Sequence, residues 1–391
     1  MPLSKKIAIG AVCLLVAGFA GFRVTAWAGG PAAECKFRLG TQRAACYQRF
    51  FTSRLISDGV AGAVAILDTL SGRDRGVSRR AHEYAHGIGI EAYTRYPDIV
   101  STFTACGDRA ASGCRHGFIQ GYFEARQQVT TPELEAFCRP FKQPGSTRWI
   151  LFQCVHGMGH GLAMFYDHNL PHALATCDEL RDAWDRESCY GGAFMESDMN
   201  AIAPHHPASE LAASHHHGGG HAAFQAIDRA DPLYPCSKME ERHLRACFEI
   251  QTAVILYLNH GDIAGAARTC DRAVVPMRDD CYRSLGRDIT SYSLRDPAES
   301  ARLCALGGAQ YQPACYVGVA KALVDWTAST DNAFTFCGIV SPTSAAGLTA
   351  CYGAVGEQVA ALFGARAARE QECNRAGIAP AVAACRQGAQ L

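Results

Sequence analysis

The cysteines constrain this chain more than any other feature. Apart from Cys13, they fall into nine sequential couples: Cys35/Cys46, Cys106/Cys114, Cys138/Cys154, Cys177/Cys189, Cys236/Cys247, Cys270/Cys281, Cys304/Cys315, Cys337/Cys351 and Cys373/Cys385. The second members Cys247, Cys281, Cys315, Cys351 and Cys385 follow one another at steps of 34, 34, 36 and 34 residues. A period of that size predicts stacked helical hairpins. Each unit reads alike, with Asp262 to Arg272 as one helix, Ala273 to Asp280 as a loop and Cys281 to Ser293 as the next helix. The second cysteine is commonly followed by an aromatic residue, as in Cys281-Tyr282 and Cys351-Tyr352, and then by small residues three to five positions on. Small residues let neighbouring helices approach closely.

The N-terminus says where such cysteines can be oxidised. Lys5 and Lys6 precede an apolar run from Ile7 to Phe22, followed by Ala26-Trp27-Ala28, the small-x-small pattern of an export signal. Residues 1–28 are expected to be a signal peptide or an N-terminal anchor, placing the rest in the periplasm or outside the cell. Eighteen cysteines remain beyond Ala28, and one disulfide per couple, joining the first helix of a hairpin to the start of the second, is the expected pairing. A cross-linked loop of a dozen residues contributes about 2–3 kcal/mol. With 48% hydrophobic and 19% charged residues, the chain is neither a disordered polymer nor a multi-span membrane protein. Its 37 basic and 37 acidic residues cancel, which leaves no global field for nucleic acid. Membrane contact is expected only through an uncleaved N-terminal segment.

Between Cys46 and Cys114 lie 68 residues, twice 34, so one hairpin without cysteines belongs there, and the count puts Arg80 at its second-cysteine position. Cys189 and Cys247 are 58 residues apart, and residues 200–235, rich in His, Gly and Pro, read as an insertion. The chain thus divides into the N-terminal segment, His-bearing repeats over 29–199, the insertion over 200–235, and regular disulfide-stapled repeats over 236–391. The period, the helix pairing and the cysteines resemble the tetratricopeptide and Sel1-like repeat proteins, particularly those with a disulfide in each hairpin, over most of residues 34–391. The resemblance implies an all-α solenoid or toroid of about ten hairpins, with a concave surface that takes a peptide, protein or polysaccharide.

Counted from the second-cysteine position, residues two and six places on read His82/His86, His116/Gln120 and His156/His160 in three consecutive units. Positions four apart share a helix face, and equivalent positions in successive hairpins line one surface of a solenoid, so these imidazoles should converge. In other units the same places hold residues such as Arg283/Arg287 and Gly353/Glu357; histidine is not part of the structural repeat. Five histidines in a core would be a poor substitute for apolar residues unless they bound something. His82, His86, His116, His156 and His160 are therefore candidate metal ligands. His217 and His221, four apart in the segment His215 to His221, are further ones.

His82-Glu83-Tyr84-Ala85-His86 is an HExxH string that resembles the zincin metalloprotease motif, which implies two zinc-binding imidazoles and Glu83 as the base that activates a metal-bound water. Glu196, seven residues after Cys189, is a second candidate base, and Glu91 and Glu124 are weaker ones. The cysteines are all accounted for, and no nucleophile elbow or phosphate-binding loop is present. Imidazole and carboxylate without thiolate suit zinc first, and iron or copper as well. The function so read is an exported metal-binding repeat protein, in its most specific form a zinc-dependent hydrolase. A non-haem iron or copper oxidoreductase and a non-catalytic envelope scaffold are the alternatives.

Overall fold

The computed structural model describes residues 31–108, 110–202 and 224–391. The N-terminal segment 1–28 and the candidate ligands His217 and His221 lie outside the described residues. Every regular element within them is helical: α1 (Pro31–Lys36), α2 (Gly40–Ser71), α3 (Arg75–Arg79), α4 (Ala81–Arg95), α5 (Ile99–Cys106), α6 (Gly113–Glu124), α7 (Thr131–Phe137), α8 (Arg148–Phe165), α9 (Leu170–Asp178), α10 (Ala183–Ile202), α11 (Glu241–Phe248), α12 (Thr252–Leu258), α13 (Ile263–Cys270), α14 (Arg278–Tyr292), α15 (Pro297–Cys304), α16 (Gln312–Thr327), α17 (Asp331–Val340), α18 (Ala345–Leu362), α19 (Arg366–Asn374) and α20 (Ala379–Gly388). Short first helices alternate with longer second helices, as the period predicts. In the hairpin spelled out above, the loop tightens into a 3-10 turn at Val275–Met277 and the second helix starts at Arg278.

Caps fix where the helices start. The Asp98 carboxylate accepts the Ser101 N–H at 2.8 Å, Asp296 that of Glu299 at 2.7 Å, and the Ser344 hydroxyl that of Gly347 at 2.8 Å, each satisfying a donor the helix itself leaves open. All nine expected disulfides are formed, with Cα–Cα separations from 5.4 to 5.9 Å. Nine such cross-links place the folded chain in an oxidising compartment. α2 is long and apolar enough by composition to cross a membrane, but here it bends at Gly59 and buries Tyr47, Phe51 and Leu55 in the core it shares with α4.

The second helices form the inner row. Their closest approaches occur in alternate pairs, α4 with α6, α8 with α10, α14 with α16 and α18 with α20. In the first helix of each pair a glycine five residues past the second-cysteine position lies so near the partner that a Cβ on it would meet the partner's cysteine carbonyl at 2.0–2.1 Å: Gly89 on Cys114, Gly159 on Cys189, Gly286 on Cys315 and Gly356 on Cys385. In the second helix a glycine three residues past the cysteine returns the contact, Gly117 onto the carbonyl of His86 and Gly192 onto that of His156, both at 1.9 Å. The structural repeat is therefore a pair of hairpins, and it recurs 70 residues apart from Cys281 to Cys351.

This contact corrects one register. Gly89 stands where Gly159, Gly286 and Gly356 stand, so Tyr84, not Arg80, occupies the second-cysteine position of the cysteine-free unit. The hairpin before it carries the 32-residue helix α2, and a count of 34 from Cys46 falls one helical turn short. His86, His116 and His156 are the true equivalents; His82 sits one turn before them and His160 one turn after.

The C-terminal hairpins also touch the N-terminal ones. α16 reaches the 3-10 turn Ala110–Ser112, and α18 reaches α8. One continuous core runs from Phe103 to Ala389. The glycine contacts predict a sharp difference between two substitutions. Gly192→Ala is expected to lower stability by about 1–3 kcal/mol by overpacking, and Gly364→Ala, where a Cβ meets nothing within 4 Å, to change it by less than about 0.5 kcal/mol, as read from urea midpoints with disulfides intact.

Candidate metal centre

The paired helices carry the histidine row into one buried place. α4 brings His82 and His86, α6 brings His116, α8 brings His156 and His160, and α10 brings Glu196. Ring centroids are 5.4 Å apart for His82 and His86, 5.8 Å for His82 and His116, and 6.2 Å for His86 and His116. From His116 the row continues to His160 at 5.1 Å and to His156 at 5.8 Å. All of these except the partly exposed His82 are more than nine-tenths buried. The five histidines predicted from the sequence thus converge, with Glu196 at their edge.

His82, His86 and His116 each offer a ring nitrogen within 4.8 Å of the other two. Their remaining nitrogens are committed. His82 Nδ1 donates to the Ala110 carbonyl at 2.9 Å, His86 Nδ1 to Gln120 Oε1 at 3.0 Å, and His116 Nε2 to Gln153 Oε1 at 3.1 Å. Gln120 is itself oriented, because its Nε2 donates to Glu124 at 2.7 Å. A ring that donates from one nitrogen keeps a lone pair on the other. His116 Nδ1 is buried with no hydrogen-bond partner among the described residues, a costly state for a polar atom unless something binds it. Burial, and then the neighbouring His160, His156 and His82, hold His116 well below the ordinary imidazole pKa. The neutral imidazole that results is the form that ligates metals.

Around His156 and His160 the supporting shell differs. His160 Nδ1 lies 3.0 Å from Glu196 Oε2, and the two Nε2 atoms face each other at 3.3 Å. The pKa of His156 is also pushed well below the ordinary range, chiefly by burial and then by His160, with the Ser188 backbone opposing the shift. Phe152 stacks on the His156 ring at 5.0 Å. Farther along α10, Asp198 is buried and pushed up to about 8 by that burial, near Arg287 and Asp288 of α14, so buried polar groups continue from the histidines toward the C-terminal hairpins.

The two candidate bases differ in placement. Both carboxylate oxygens of Glu83 are held by Arg80, with Nε to Oε2 at 2.6 Å, and the side chain is one-third exposed; it does not join the histidines. Glu196 does, through His160, and so positions an imidazole. Glu91 pairs with Arg95 at 2.6 Å on the surface, and Glu124 reaches His86 only through Gln120. Sequence reading missed Gln120 and Gln153 as supporting groups. Gln120 stands at the His160-equivalent position and was legible there, whereas the Ala110 acceptor is a backbone atom with no residue-type signal.

In comparisons with known proteins the chain matches no family model, no curated protein and no solved structure.

The pKa directions fix a pH dependence for the metal-free protein. His116 and His156 resist protonation when folded but accept it near pH 6.5 when unfolded, so they cost nothing above about pH 6.5 and destabilise increasingly below it. Urea midpoints of chelator-treated protein are expected to fall between pH 7.5 and 5.5, and His116→Gln to flatten that slope; a slope unchanged by the substitution would remove His116 from the cause.

Proposed function

We propose that this protein is an exported zinc-binding protein whose ion is held by His82, His86 and His116, and that the site is built for hydrolysis. The observation that carries the reading is the convergence of three imidazole nitrogens, each with its other nitrogen donating to an oriented oxygen. Such acceptors fix tautomer and ring direction, and at metal sites their loss weakens binding about 10- to 100-fold. The donor set is all nitrogen, since every described cysteine is in a disulfide, which favours zinc among the metals that imidazole suits.

His82, His86 and His116 would hold the ion, and zinc bound by three imidazoles would supply a water activated for nucleophilic attack near pH 7. The chain's own contribution is to hold three rings in fixed tautomers, to shield His86 and His116 from bulk water and to leave an approach at the partly exposed His82. We give Glu83 no part in this reading, since Arg80 holds its carboxylate. Glu196 is a positioning residue for His160.

Elemental analysis of protein isolated from an oxidising compartment is expected to find zinc. His86→Ala and His116→Ala should each abolish that equivalent, and Gln120→Leu should weaken it about 10- to 100-fold, with unchanged helical content by circular dichroism. Unchanged metal content in His86→Ala would overturn the reading.

A further inference from the structure

The groups facing each other across α8 and α10 are not needed by the site just described. We infer that His156 and His160 form a second metal position next to the first, taking a first-row divalent ion of the zinc type on their facing Nε2 atoms. This goes beyond the His82/His86/His116 reading and rests on it only for the identity of the metal.

The two rings turn one nitrogen each toward the other. His160 Nδ1 lies 3.0 Å from Glu196 Oε2 and is the donor toward an ionised carboxylate. The Nε2 of His156 is the atom turned to His160, at 3.3 Å from His160 Nε2. In the tautomers that carry both protons on Nδ1, the two Nε2 atoms present lone pairs to each other. That arrangement repels unless a cation sits beside both atoms. Two nitrogens about 2.0–2.1 Å from one tetrahedral zinc are about 3.3–3.4 Å apart, which is the separation found. A carboxylate–histidine–metal arrangement is usual for such ligands, and Glu196 stands in that place behind His160.

The surroundings hold the pair rigid. Both rings are more than nine-tenths buried. Phe152 stacks on His156 at a 26° tilt, and His116 stacks on His160 at 21°. The α8 backbone between the two histidines is pressed against its neighbours: a Cβ at Gly157 would meet Ile119 at 2.4 Å, and one at Gly159 the Cys189 carbonyl at 2.0 Å. His116 stands between the two sets of rings, 5.8 Å from His82 and 5.1 Å from His160 by ring centroids. A proton shared between the Nε2 atoms is the competing occupant, and counting metal ions separates the two.

The test uses the full chain with its disulfides formed, stripped with a chelator and titrated with zinc alone against a chromophoric competitor. The wild type is expected to bind two equivalents, His156→Ala one, His86→Ala the other one, and the double variant none. Glu196→Gln should keep both equivalents but weaken one of them 10- to 100-fold, and it carries the test if His156→Ala does not fold. A single wild-type equivalent that survives in His156→Ala and is lost in His86→Ala would overturn the second position and leave the first reading intact. A single equivalent lost in His156→Ala and kept in His86→Ala would do the reverse. One equivalent lost in both variants would mean a single shared ion and would also overturn the second position.

Discussion

Backbone contact between paired second helices is the constraint from which the rest of the structure follows. Where Gly117 lies on the His86 carbonyl and Gly192 on the His156 carbonyl, the helix axes come closer than any side chain at those positions would allow. Residues two places past the cysteine position stand beside that contact, so whatever the sequence puts there is driven toward the neighbouring helix. In the N-terminal hairpins it puts histidine. In the C-terminal ones the same face carries Arg287 and Asp288, and farther on the half-buried Asp325, pushed up to about 6 by desolvation while Gln358 donates to it at 2.7 Å. Polar groups thus recur along the second helices, and the histidines stand in the N-terminal ones.

Such a row is expensive to fold. Gly157, Gly159 and Gly161 all lie inside α8, and each glycine costs a helix about 1 kcal/mol relative to alanine. Burying five imidazoles adds to that, because each needs an oriented acceptor. The Cys138–Cys154 disulfide, which joins α8 about two turns from its start, contributes about 3 kcal/mol through the loop it closes, which is the size of the glycine cost in that helix. Disulfide stapling and a glycine-lined, histidine-bearing interior are in this sense two halves of one solution: the cross-links stabilise helices that their own composition would leave weak.

Most of the architecture was legible in the cysteines. They gave the hairpin period, the pairing and the oxidising compartment, and the histidine offsets pointed to one convergent face. The alternation of hairpins was also written in the sequence, as glycine five places past the cysteine in Cys154, Cys281 and Cys351 and three places past it in Cys114, Cys189, Cys315 and Cys385. What could not be read was the register of the unit without cysteines. With the 32-residue helix α2 ahead of it, a count of 34 lands on Arg80, and the HExxH string then suggests Glu83 as a base. The structure turns that carboxylate to Arg80 because the helix face that meets α6 is the one carrying His82 and His86. Ala110 escaped notice for a different reason, since it acts through a main-chain carbonyl that any residue would supply.

The claim at the centre of this account is that imidazole nitrogens alone, brought together by close helix packing, hold a metal ion. X-ray absorption at the zinc edge of the loaded protein tests it most directly. The account predicts a shell of nitrogen and oxygen scatterers at about 2.0–2.1 Å, with the outer-shell signature of several imidazole rings, and a loss of that signature in His86→Ala. A sulfur shell at about 2.3 Å, or an oxygen-only shell without imidazole scattering, would contradict it.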